Sequence, residues 1–173
     1  MLYKAQLIIK NLKYKKIMET IVKTTENKSQ VIGQEIMKYF EKTSQHLFIN
    51  KDTDYFYKVL TVKIGGVPHA IKLTFNGEKC NVSIYDLTKL SQMVKHLVDK
   101  GMYTSAAKVA VHEWKSYMFP GYERTKISIP NFKLMKSKMS EVISYVQVNY
   151  TKETETKVKV EIGEILKDIK PKA

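Results

Sequence analysis

The sequence predicts an α+β fold that is mostly helical, with a β-hairpin set between helical units. Three observations carry this expectation. Apolar residues recur at helical spacing over most of the chain, as in Leu87, Leu90, Met93, Val94, Leu97 and Val98. The stretch from Tyr55 to Phe75 instead alternates, is rich in Val, Tyr, Phe and Thr, and is broken by Gly65-Gly66-Val67-Pro68. Asn76-Gly77 then supplies a strong hairpin turn. At 173 residues and 43% hydrophobic, the chain is long enough for one domain or two small ones with a buried core.

The elements follow in order. Tyr3 to Ile9 alternates as a short strand, with Ala5, Leu7 and Ile9 on one side. Leu12, Ile17, Met18, Ile21 and Val22 trace a first helix. Thr24 to Ser29 is polar and reads as a turn. Val31, Ile32, Ile36, Tyr39 and Phe40 trace a second helix, with Gly33 inside it at a cost of roughly 1 kcal/mol against Ala. Residues 1–45 form this first unit and 46–79 the hairpin insertion. Residues 80–119 repeat the pattern: Val82 and Ile84 alternate with Ser83 and Tyr85, a helix follows, Gly101 breaks the chain, and Thr104-Ser105 stands where a helix cap belongs. Ala107, Ala110, Val111, Trp114 and Met118 then trace the second helix, with Trp114 on its apolar stripe. Lys79 to Tyr85 also fits a third strand of a meander continuing from Asn76-Gly77. Residues 120–173 are a third, weaker strand–helix–helix unit or a helical oligomerisation hairpin. Its strand is Lys126–Pro130, and its helices run along Phe132, Met135, Met139, Val142, Ile143 and Val146, then Val158, Ile162, Ile165, Leu166 and Ile169.

The order strand, helix, Gly-Met-Tyr-Thr-Ser turn, capped helix resembles the ribbon–helix–helix family of DNA-binding proteins, the class of the Arc and MetJ repressors. The Lys, Ile and Tyr richness is similar to that of tandem regulators of this family from hyperthermophilic archaea and their viruses. The resemblance implies tandem units whose strands pair as antiparallel ribbons and enter the major groove of DNA. Val82 and Ile84 would then point inward, and Asn81, Ser83 and Tyr85 toward base edges. Lys4, Gln6 and Ile8 would take that role in the first unit, and Arg124, Lys126 and Ser128 in the third. The starts of the second helices would hold phosphate: Thr104 and Ser105, with Lys28 and Ser29, and Thr151 and Lys152, as their counterparts.

Charge points the same way. The chain carries 30 basic and 17 acidic residues, a formal net charge of +13, and Arg124 is its one arginine. Such a surplus favours a polyanion, nucleic acid first and acidic lipid second. The expected function is sequence-specific double-stranded DNA binding in transcription regulation. The expected partners are duplex DNA and a second copy of the chain, with no membrane. A single-strand or coat protein using Tyr55, Tyr57 and Phe75 as a stacking platform is the alternative, as is an antitoxin-like regulator with residues 120–173 as its partner-binding tail. No phosphate loop or Ser/His/Asp grouping is present, so no enzyme is expected, and no cofactor. His46, His69, His96 and His112 lack metal-ligand spacing to each other or to Cys80, so no metal is expected. One cysteine, no signal-peptide pattern at the start and no long apolar run fit an intracellular protein.

Overall fold

A computed structural model describes residues 2–43, 47–50, 55–76, 79–118, 123–125 and 132–169. The fold is α+β and mostly helical: an antiparallel sheet lies between two helical layers. Helix α1 spans Leu2–Thr43, and the short strand β1 spans Leu47–Asn50. Strands β2 (Tyr55–Ile64), β3 (Val67–Asn76) and β4 (Lys79–Asp86) form a meander. Helices α2 (Gln92–Asp99) and α3 (Tyr103–Met118) follow, then β5 (Glu123–Thr125), α4 (Phe132–Asn149) and α5 (Glu155–Ile165). The sheet order is β4-β3-β2-β1-β5, so β4 is one edge and the three-residue β5 the other.

The β2–β3 hairpin forms as the sequence predicts. Ile64 pairs with Val67 across Gly65-Gly66, and both glycines hold positive φ (58° and 79°), the two-residue turn that matches strand twist. The turn is shorter than expected, since Val67 and Pro68 already lie in β3. Pro68 still serves the sheet through its carbonyl, which accepts the Leu87 N–H at 3.0 Å.

Side-chain alternation splits the core in two. Leu60, Val62, Ile71, Leu73 and Phe75 face α4 and α5, where Met139, Val142, Val146, Val158, Ile162, Leu166 and Ile169 bury against them. Val59 and Ala70 face the other way, onto Ile32, Ile36 and Phe40 of α1, Val94 and Val98 of α2, and Ala106, Ala110 and Met118 of α3. Each large side chain so buried contributes roughly 1.5–3 kcal/mol. The C-terminal helices are thus a cover for one sheet face.

Several expectations are corrected here. Tyr3 to Ile9 is helical, and so is Thr24 to Ser29; α1 runs through both. The physical reason is that the chain holds no Gly before Gly33 and no Pro before Pro68, so nothing stops a helix rich in Lys, Leu and Ile. The strand seen near the third unit is β5, paired with β1 at the far edge of the sheet. The expected strand Lys126–Pro130 lies outside the described residues. The central strand pairs with β3 as the last strand of the meander, the alternative that Lys79 to Tyr85 also fits, and not with a second ribbon. Tandem ribbons paired with each other are therefore not the arrangement among the described residues.

Candidate nucleic-acid interface

The α2–turn–α3 corner is built by local chemistry that the sequence signals well. Ser91 caps α2: its Oγ accepts the Val94 N–H at 3.2 Å and donates to Glu113 Oε1 at 3.0 Å, tying the start of α2 to α3. Gly101 ends α2 with φ +75°; its N–H donates to the Val98 carbonyl at 3.0 Å, and the Met102 N–H to the Leu97 carbonyl at 2.9 Å. These two bonds make the closing pair of a glycine helix cap. α3 then presents Thr104, Lys108, His112 and Lys115 as one exposed stripe, about one turn apart.

On one flank of that stripe, α1 and α3 enclose a groove of about 490 Å³. Its walls carry Lys38, Lys108, His112 and Lys115 against a single carboxylate, Glu35. Lys38 Nζ lies 3.2 Å from Glu35 Oε1, and Lys115 Nζ stands 4.4 Å from the centroid of the Tyr39 ring. A positive surplus in a concave site suits a phosphate backbone.

On the other flank lies a cleft of about 360 Å³ lined by Tyr85, Lys89, Leu90, Trp114 and Tyr117 among others. Its three aromatic rings meet edge to face. Centroids lie 5.7 Å apart for Tyr85–Trp114, 5.5 Å for Tyr85–Tyr117 and 6.2 Å for Trp114–Tyr117. Burial pushes the Tyr85 phenol above its ordinary pKa, against a hydrogen bond with Ser83 that pulls it down. Trp114, on the apolar stripe of α3, packs half-buried against the core and also lines this cleft.

The structure scatters the residues that the sequence singled out. Lys4, Gln6 and Ile8 are exposed on helix α1, where a strand was expected. Lys28 and Ser29 lie inside the same helix and so offer no free helix start. Asn81, Ser83 and Tyr85 do share one side of β4, opposite Val82 and Ile84. That side faces the α1–α3 layer: Asn81 is exposed, Ser83 half-exposed and Tyr85 packed among aromatics. Arg124 is on β5, opposite Phe48 in register. Lys126 and Ser128 lie outside the described residues.

Thr104 and Ser105 sit in the first turn of α3, which begins at Tyr103. Thr151 and Lys152 precede α5, whose cap position is Thr154. The Thr151 N–H donates to Thr154 Oγ1 at 2.8 Å, and that hydroxyl donates to the Asn149 carbonyl at 2.8 Å, so the loop satisfies itself. The stacking platform is corrected as well. Tyr57 and Phe75 are buried, and their register puts them on opposite sheet faces; the Tyr55 side chain is outside the described residues.

The basic groove itself was missed. Its signal was available in part: Lys108, His112 and Lys115 at intervals of four and three mark one helix face. Nothing local placed Lys38 beside them.

No protein-family profile, curated protein or solved structure matches the chain. Among the described residues, no group of His, Cys, Asp and Glu could hold a metal ion, and no helix is long and apolar enough to cross a membrane.

Proposed function

We propose that the protein is a double-stranded DNA-binding regulator of transcription that grips the duplex with α3 and the groove beside it. The observation that carries this reading is the gathering of Lys38, Lys108, His112 and Lys115 around one groove that holds a single acid. An α-helix fits the major groove, and two helices joined by a short Gly-containing turn are a recurring way to present one. Thr104 and His112 on the exposed stripe are the candidates for base edges, and the three lysines for phosphates. Of the three candidates on β4, Asn81 is the exposed one. Self-association belongs to the same reading. β4 ends the sheet, and edge pairing of two copies would make a two-chain antiparallel ribbon and relate two α3 helices by symmetry. Fluorescence anisotropy with a site selected from random duplexes tests the proposal. Retention of that site against excess random duplex supports it, and equal displacement by both sinks sequence specificity.

One observation favours a second reading, a single-strand binder. Tyr85, Trp114 and Tyr117 line an open cleft beside Lys89, and exposed aromatic faces stack unpaired bases. Preference for single strands over duplex at equal salt would select it.

A further inference from the structure

Residues 4–17 of α1 carry large apolar side chains that the core leaves uncovered. Every described side chain from Lys4 to Ile17 is exposed, and the first buried one along the helix is Ile32. Five of them are large and apolar: Ile8 is 59% exposed, Ile9 53%, Leu12 61%, Tyr14 66% and Ile17 59%. At about 100° per residue, Ala5, Ile8, Ile9 and Leu12 fall on one side of the helix, and Tyr14 and Ile17 on the other. Lys4 and Lys15 border that stripe on one side and Lys13 on the other, and Lys16 falls at its C-terminal end, where its long stem can carry the charge out of the stripe. From Leu2 to Met18 there are five lysines, Lys4, Lys10, Lys13, Lys15 and Lys16, and no acidic residue.

We infer that this helical arm lies on an anionic lipid surface, with Ala5, Ile8, Ile9 and Leu12 entering the interface. The charge pattern chooses this occupant. In a helix pair between two copies, the lysines flanking the stripe would face like charge, which disfavours pairing. Nucleic acid would satisfy the lysines and leave the isoleucines in water. At an anionic bilayer both needs are met: the apolar stripe enters the acyl boundary while the flanking lysine stems reach up to the headgroups. Spanning the bilayer is not required, since a helix of this kind lies in the plane of the surface. This inference is independent of the groove beside α3.

The test is co-sedimentation of the full chain with vesicles of phosphatidylcholine and phosphatidylserine at 3:1, and with phosphatidylcholine alone. The expected result is pelleting with the anionic vesicles, at least tenfold weaker with the neutral ones and at least tenfold weaker for Ile9→Ser with Leu12→Ser. Both substitutions are at exposed positions, so circular dichroism and duplex binding should be unchanged. Three results overturn the inference: no pelleting with anionic vesicles, pelleting indifferent to the two substitutions, or a concentration-dependent oligomer that they abolish. Duplex affinity falling with the same substitutions would assign the arm to nucleic acid and overturn it as well.

Discussion

Replacing Lys38, Lys108 and Lys115 with Gln removes three positive charges from the α1–α3 groove and keeps side chains that suit a helix. If each lysine neutralises one phosphate, the slope of log K against log salt falls by about 0.9 for each, or about 2.7 in all. Over a fourfold rise in salt, native affinity should then drop about 40-fold more than that of the variant. The fold should tolerate the change. The Lys38–Glu35 pair is exposed, at 67% and 53%, and is worth a few tenths of a kcal/mol. The Lys115 contact with Tyr39, at 4.4 Å, adds roughly 0.5–1 kcal/mol. Their sum corresponds to a fall in Tm of about 2–4 °C. The assay is anisotropy with one duplex from 50 to 200 mM salt, beside a melting curve for each protein. A native chain that binds duplex with the same slope as the variant would refute the assignment of this groove to phosphate.

Other outcomes follow from packing and titration. An added Cβ at Gly33 would stand 3.0 Å from Thr88 Cγ2. Thr88 cannot easily yield, because Asp86 Oδ1 holds both its N–H and its hydroxyl, at 2.8 and 2.6 Å. Gly33→Ala should therefore lower Tm despite its helix propensity, and Thr88→Ser in the same chain should reverse the sign. Ser91→Ala should cost about 1 kcal/mol by chemical denaturation, through the lost cap of α2. Burial lowers the Lys58 pKa from 10.5 to about 8, so above pH 8 the unfolded chain holds a proton that the folded one has lost. Stability should thus rise with pH from about 8, and Lys58→Met should remove that rise in urea titrations and stabilise the protein at pH 7, by on the order of 3 kcal/mol at most. Cys80 opposes this above pH 9, since burial holds its thiol up to about 12; native Cys80 should react slowly with a thiol reagent at pH 8.

Much of the fold was legible because its signals are local. The hairpin at Gly65-Gly66, the break at Gly101 and the stripes of α3, α4 and α5 each rest on a few neighbouring residues. The start of the chain was not legible for the opposite reason. Tyr3, Ala5, Leu7 and Ile9 alternate over seven residues, too short a window to separate period two from a helix with apolar residues on two sides. The continuous helix rests on the absence of a breaker over the whole span to Gly33, a property of the segment and not of any residue in it. The groove was hidden for a further reason: Lys38 and Lys115 meet only because α1 and α3 pack on the same sheet face.

The ribbon expectation turns on how alternation in β4 is satisfied. Cys80, Val82 and Ile84 on one side and Asn81, Ser83 and Tyr85 on the other fit a strand with one wet face. They fit equally an edge strand of a sheet covered on both faces. β2 separates the two cases, because it is apolar in both parities: Leu60 and Val62 bury toward α4 and α5, while Tyr57 and Val59 bury the other way. A central strand of that kind demands helices on both sides, and a sheet so covered cannot lay a face into a DNA groove. Among the described residues, the β4 margin remains open, where Asn81 is exposed and Thr74 and Ser83 are half-exposed. Among the described residues, recognition can therefore come from the helices or from that margin. This is why the groove beside α3, and not the face of the sheet, is the place where substitutions should tell.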